Sequence, residues 1–212
     1  MIFRASAASA LLLFGILAAQ ESAPVKVADM VADFSIGRGN PNGNWSYGSS
    51  GALGSAFTRS TVGINSGDLI CWGATQGTPC TSTQRAIIKN RSQGNITPLA
   101  GIVIPNNVLH LHPGQNGEYA VVRWTAPEAG LYTVSGFFEG LNSRPTSTDV
   151  HVVMNSETVF DAEVSTFMNP MNFDVTHVLR AGDTIEFAVG FGSDRNFFYD
   201  STGVSAKILR AR

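Results

Sequence analysis

Residues Glu118 to Phe138 read EYAVVRWTAPEAGLYTVSGFF. Tyr119, Val121 and Arg123 alternate with Ala120, Val122 and Trp124, the two-residue period of a strand. Trp124 shares a face with Val122, so that face is expected to be core. In Ala126-Pro127-Glu128-Ala129-Gly130 the proline fixes φ and lacks an N–H, and the glycine tolerates positive φ, so the chain reverses. Leu131 to Phe138 returns, rich in aromatic and β-branched residues. The stretch therefore predicts a hairpin and, with it, an all-β fold.

The rest of the chain has the same texture. Strand-like runs occur at Phe57 to Ile64, Leu69 to Trp72, Ala86 to Lys89, Ile102 to Ile104 and Val108 to His112. Further runs are Thr148 to Met154, Glu157 to Val164, Met171 to Val178, Thr184 to Gly190 and Ser201 to Leu209. Val25 to Phe34 begins either as a strand or as a short helix. Asn155-Ser156 and Arg180-Ala181-Gly182-Asp183 are turns. Ser35 to Gly54, rich in Gly, Asn and Ser, reads as a loop carrying Trp45 and Tyr47. Many short strands at regular spacing predict one antiparallel β-sandwich over residues 25–212, its sheets burying one face each.

Composition narrows the partners. Only 14% of the 212 residues are charged and the net charge is -2, so nucleic acid is not an expected partner. Low charge and a neutral polar surface suit self-association. Residues 1–19 have a basic start, an apolar run and small residues before Gln20, the pattern of a cleaved signal peptide. The run of about 15 apolar residues is short for a membrane span, so none is expected in the mature chain. A secreted, periplasmic or cell-surface protein follows. In that setting Cys71 and Cys80 form a disulfide by default, two buried thiols being the alternative.

Several ordered motifs carry a resemblance: DFSIGRGNPNGNWSYG, LHPGQNGEYAVVRWTAPEAGLYTVSGFFEGL, TDVHVVMNSETVF, AGDTIEFAVGFG and FFYDSTGVSAKI. Spanning Asp33 to Ile208, they resemble a module of exported bacterial proteins often found with a PEP-CTERM sorting tail. Its layout is similar to jelly-roll carbohydrate-binding modules. The resemblance implies a jelly-roll-like sandwich and a polysaccharide or surface glycan as partner. The chain departs from the sorted proteins in closing on KILRAR without a Pro-Glu-Pro motif, so no membrane sorting is expected. By position in the jelly-roll modules, the resemblance also implies a structural calcium ion between Asp33 and Asp200, whose hard oxygens suit it. The alternative is a turn cap at Asp200 and a solvated Asp33.

Sugar rings present apolar C–H faces, so aromatic rings beside amides are the expected platform. Trp45, Tyr47, Trp72 and Tyr199, with Asn44 and Asn196, are the candidates, each in or beside a Gly/Asn-rich loop. Packing of those rings in the core is the alternative. His110 and His112 share a strand face, and a metal would need His151 to converge on them. Asp149, Glu157, Asp161 and Glu163 lie on one hairpin and would have to supply any glycosidase pair, but no catalytic motif accompanies them. The sequence thus points first to a non-catalytic glycan-binding module. The alternatives are a structural or adhesive matrix protein and a cryptic polysaccharide-degrading enzyme.

Overall fold

The computed structural model describes residues 23–73, 80 and 85–212; the expected signal peptide lies outside them. Fourteen strands follow in order: β1 Val25–Asp29, β2 Trp45–Ser50, β3 Phe57–Arg59, β4 Val62–Ser66, β5 Leu69–Gly73, β6 Ala86–Asn90, β7 Leu109–His112, β8 Tyr119–Thr125, β9 Gly130–Gly140, β10 Thr148–Met154, β11 Glu157–Val164, β12 Met171–Leu179, β13 Thr184–Val189 and β14 Thr202–Arg210. The larger sheet runs β12-β9-β14-β7-β6-β5-β4, with β1 beside β14, and the smaller runs β11-β10-β13-β8-β2-β3. Among these strands every pairing is antiparallel. The protein is an all-β sandwich of two antiparallel sheets.

The defining stretch is not a hairpin. β8 pairs with β13 and β2 in the smaller sheet, and β9 pairs with β12 and β14 in the larger. The turn at Ala126–Ala129 carries the chain from one layer to the other. Both strands bury one face, and an arch lets those faces meet. Trp124 lies edge-on to Tyr132, ring centroids 5.3 Å apart. The arch is tied to its neighbour rather than closed on itself, Ala126 N donating to Asp183 O at 2.8 Å and Gly182 N to Ala126 O at 2.8 Å. Phe57 to Ile64 is likewise divided: β3 lies in the smaller sheet and β4 in the larger. Such a strand turns a corner between the layers. Ile102 to Ile104 forms only isolated bridges, with Asn142 and Ile96.

Ser46, Gly48 and the preceding asparagines suggest a loop, yet residues 45–50 are β2, an inner strand between β8 and β3. Trp45 pairs with Trp124 and Tyr47 with Val122. Gly48 is required there, because a Cβ would run into the Thr58 carbonyl oxygen.

Ala120, Val122, Trp124, Tyr132, Val134, Phe138, Val150, Val152, Phe187 and Ile208 belong to one buried core between the sheets. A smaller core lies on the outer side of β5 and β6, where Leu69, Cys71, Cys80, Ala86, Ile88 and Ile104 cluster. Cys71 and Cys80 form the disulfide, Cα atoms 5.7 Å apart.

Removing the Trp124 indole opens the arch contact and a cavity. Trp124→Ala is expected to lower unfolding free energy by roughly 3–5 kcal/mol in urea titration. Val178→Ala, at a side chain 68% exposed, is expected to change it by no more than about 0.5 kcal/mol. A Trp124→Ala loss as small as the Val178→Ala change would contradict the arch.

Candidate functional site

The structure removes the indoles and Tyr47 from the list of sugar platforms. Trp45, Tyr47 and Trp72 are 3%, 0% and 5% exposed. Trp45 Nε1 donates to Asp33 Oδ2 at 3.1 Å and Trp72 Nε1 to Ser35 O at 3.1 Å. With their N–H groups satisfied inside, the indoles can be buried without the cost of an unpaired donor. Tyr47 is stacked 6.3 Å from Trp72 across the two layers. None of the three offers a ring face to a ligand. Asn44 is exposed, beside them at the rim of a small polar cavity of about 180 Å3 that also takes in Asp33 and Arg38.

Asn196 and Tyr199, by contrast, are exposed and close together on the loop from β13 to β14. Asn196 N donates to Asp194 Oδ1 at 2.9 Å, and Phe198 N to Asn196 Oδ1 at 3.0 Å. These two successive side-chain turns fix the loop. Asn196 is therefore a positioning residue, its amide oxygen holding Phe198. Tyr199 has φ 73, a strained conformation for a bulky residue. Arg144 holds it there: the guanidinium lies 4.9 Å from the ring centroid, and Nη1 donates to the Tyr199 hydroxyl at 3.0 Å. Phe198 packs on Phe197, centroids 4.5 Å apart, and Phe197 meets His112 edge-on at 6.0 Å. The result is a pair of outward rings, 54% exposed at Phe198 and 40% at Tyr199. The run FFYD carried the signal for Phe198, and nothing local marked Arg144, which lies 55 residues away from its partner.

A polar network underlies this loop. Asp149 Oδ2 accepts from the Tyr119 hydroxyl at 2.5 Å and lies 2.9 Å from His151 Nε2, while Oδ1 accepts from Gly192 N at 2.7 Å. Burial pushes the Asp149 carboxyl up, but the bonds from His151, Tyr119 and Gly192 outweigh it and hold the group below the ordinary carboxylate value. Asp149 faces Glu163 across β10 and β11, yet it stays ionised near neutrality and has no proton to give as a general acid. Glu157 and Asp161 are both exposed on β11, with Asp161 opposite His151.

Asp200 is 1% exposed. The Thr146 hydroxyl donates to Oδ1, and Oδ2 has no partner among the described residues. Burial pushes this carboxyl up to about 7, against the Thr146 and Thr148 hydroxyls and with help from Asp194 and Asp149. Asp33 is not beside it. Asp33 bonds Trp45, which pairs with Trp124 near one end of β8. Asp200 belongs with Asp149, which meets Tyr119 at the other end, roughly 20 Å away along a seven-residue strand. The expected calcium pair is thus not brought together. Nor do the histidines converge. His110 and His112 lie on the outer side of the larger sheet and His151 on the outer side of the smaller one. Burial, with His112 adjacent, holds His110 down to about 3.

No protein-family model matches the chain, and no curated protein matches its sequence. Among solved structures it is similar to a native family 35 carbohydrate binding module from Clostridium thermocellum, at 14% identity and a TM-score of 0.32, covering 68% of this chain and 89% of that one. It is similar to the CBM51 from Clostridium perfringens GH95 in complex with methyl-galactose, at 14% identity and 0.35, covering 54% and 78%. It is also similar to pika GITRL, at 18% and 0.28, covering 42% and 71%. Likeness at these TM-scores carries no functional weight.

Asp200 gives a pH test. Its folded pKa, about 7, stands above its ordinary 3.8, so its stabilising contribution is complete below the lower value and is lost as pH rises through the upper one. Between pH 5 and 8 the melting temperature of Asp200→Asn is expected to rise relative to the unsubstituted protein. A constant difference across that window would show that Asp200 does not titrate there.

Proposed function

We propose that the protein is a secreted or cell-surface, non-catalytic module that binds a glycan on the loop between β13 and β14. The carrying observation is the outward pair Phe198 and Tyr199, braced by Arg144 and by the Asp194 and Asn196 turns. Exposed rings stack on the apolar faces of sugars, and pre-fixed rings lose little entropy on binding. Arg144 supplies donors for sugar hydroxyls at the platform edge. The Cys71–Cys80 disulfide suits an oxidising compartment.

A structural, self-associating role is the second reading. It is favoured by Val178 and Leu131, exposed and directly paired across β12 and β9. Sedimentation across a concentration series separates the two, since oligomers without glycan retention would favour self-assembly.

Affinity electrophoresis through gels cast with individual polysaccharides tests the glycan reading. Loss of one stacking contact, worth about 0.5–1.5 kcal/mol, weakens binding roughly two- to tenfold, and loss of both rings compounds it. Phe198→Ala/Tyr199→Ala is expected to abolish retardation while the far-ultraviolet spectrum and the melt stay unchanged. Retardation equal to the unsubstituted protein's would remove the loop platform.

A further inference from the structure

The outer face of the larger sheet carries a separate cleft of about 520 Å3 along β9. Two cross-strand rows line it. Asp174, Ser135 and Lys207 are in register across β12, β9 and β14, and Asn172, Phe137 and Ser205 form the next row. Ser135 is small and central, so the cleft is open between its walls. One wall bears the Asp174 carboxylate and the other the Lys207 ammonium, both exposed. Two strand spacings put their backbones about 10 Å apart.

Among the described residues neither charge forms an ion pair. Asp29, in register with Lys207 on β1, is instead 3.4 Å from Lys26. Phe137 is half-buried on the central strand, two residues along from Ser135, flanked by the Asn172 amide and the Ser205 hydroxyl. In the next row the Thr133 and Thr176 hydroxyls are 2.9 Å apart.

We propose that this cleft is a second binding site, taking an acidic polysaccharide in which charged sugars alternate with uncharged ones. The gap between Lys207 and Asp174 is on the order of a disaccharide in length, given two strand spacings. A carboxylate or sulfate on one sugar meets Lys207. The neighbouring sugar brings hydroxyl or amide N–H donors to Asp174, which accepts them. An apolar ring face lies against Phe137, with Asn172 and Ser205 bonding the hydroxyls at its edges. A polymer charged on every sugar would set an anion against Asp174, and a neutral one would forgo the Lys207 contact; the two walls therefore select by repulsion as well as attraction. The ligand class comes from the cleft's own charges and does not rest on the loop platform.

Calorimetric titration with three oligosaccharides of equal length tests this: hyaluronan, whose uronates alternate with N-acetylglucosamine, oligogalacturonate, charged on every sugar, and a neutral cello-oligosaccharide. The unsubstituted protein is expected to prefer hyaluronan at least tenfold over both. Lys207→Gln is expected to lose at least tenfold for hyaluronan. Asp174→Asn is expected to gain affinity for oligogalacturonate and so erase the preference. Added salt is expected to weaken hyaluronan binding, a readout that needs no variant. Phe198→Ala/Tyr199→Ala is expected to keep hyaluronan binding, which separates this site from the loop. Equal affinity for the three ligands, or a Lys207→Gln protein that binds hyaluronan as the unsubstituted protein does, would overturn the proposal.

Discussion

Everything in this sandwich depends on aromatic rings that bridge its two layers. Tyr47 of the smaller sheet stacks on Trp72 of the larger, and Trp124 lies edge-on to Tyr132. A third chain of contacts runs from Trp45 through Phe187 and Phe173 to Phe138 and Phe160. Rings of this size bury large apolar areas and favour edge and offset geometries, so they set the layer spacing as well as its stability. The segment after β1 makes the burial affordable, because Asp33 and Ser35 accept the indole N–H groups of Trp45 and Trp72.

That constraint decides where chemistry is available. With its tryptophans inside, the protein's outward aromatic surface falls to other rings. Phe198 and Tyr199 stand on a loop braced from below, where Gly192 is tied to Asp149 and Thr146 to Asp200. Strain at Tyr199 is sustained because Arg144 and the loop's own turns over-determine it. The outer sheet face offers a different chemistry, in which small central side chains leave opposite charges on facing walls.

The sequence made the strands legible where alternation was clean. Ala120, Val122 and Trp124 face the core as their period required, and β10 and β11 form the expected hairpin around Asn155-Ser156. It did not separate a hairpin from an arch, because the same Pro and Gly turn chemistry serves both and only distant partners choose between them. Residues 45–50 are hidden by composition: Gly, Asn and Ser outweigh the two-residue spacing that puts Trp45 and Tyr47 on one buried face. For the same reason buried and exposed aromatics looked alike, since each lay near turn-rich sequence. Asn196 and Tyr199 emerged on the surface together, whereas Arg144, Asn172, Asp174 and Lys207 became neighbours only through strand register. Asp33 and Asp200 sit near the first and last strands as expected, but at opposite ends of the sandwich.

Tryptophan fluorescence reads the layer-bridging rings themselves, because the chain has 3 tryptophans and all are buried. Native emission is expected to be blue-shifted, little quenched by iodide, and unchanged when a glycan binds. Efficient iodide quenching in the native state, or protection of tryptophan by a glycan, would contradict that burial by placing an indole at the surface and returning Trp45 or Trp72 to the binding site.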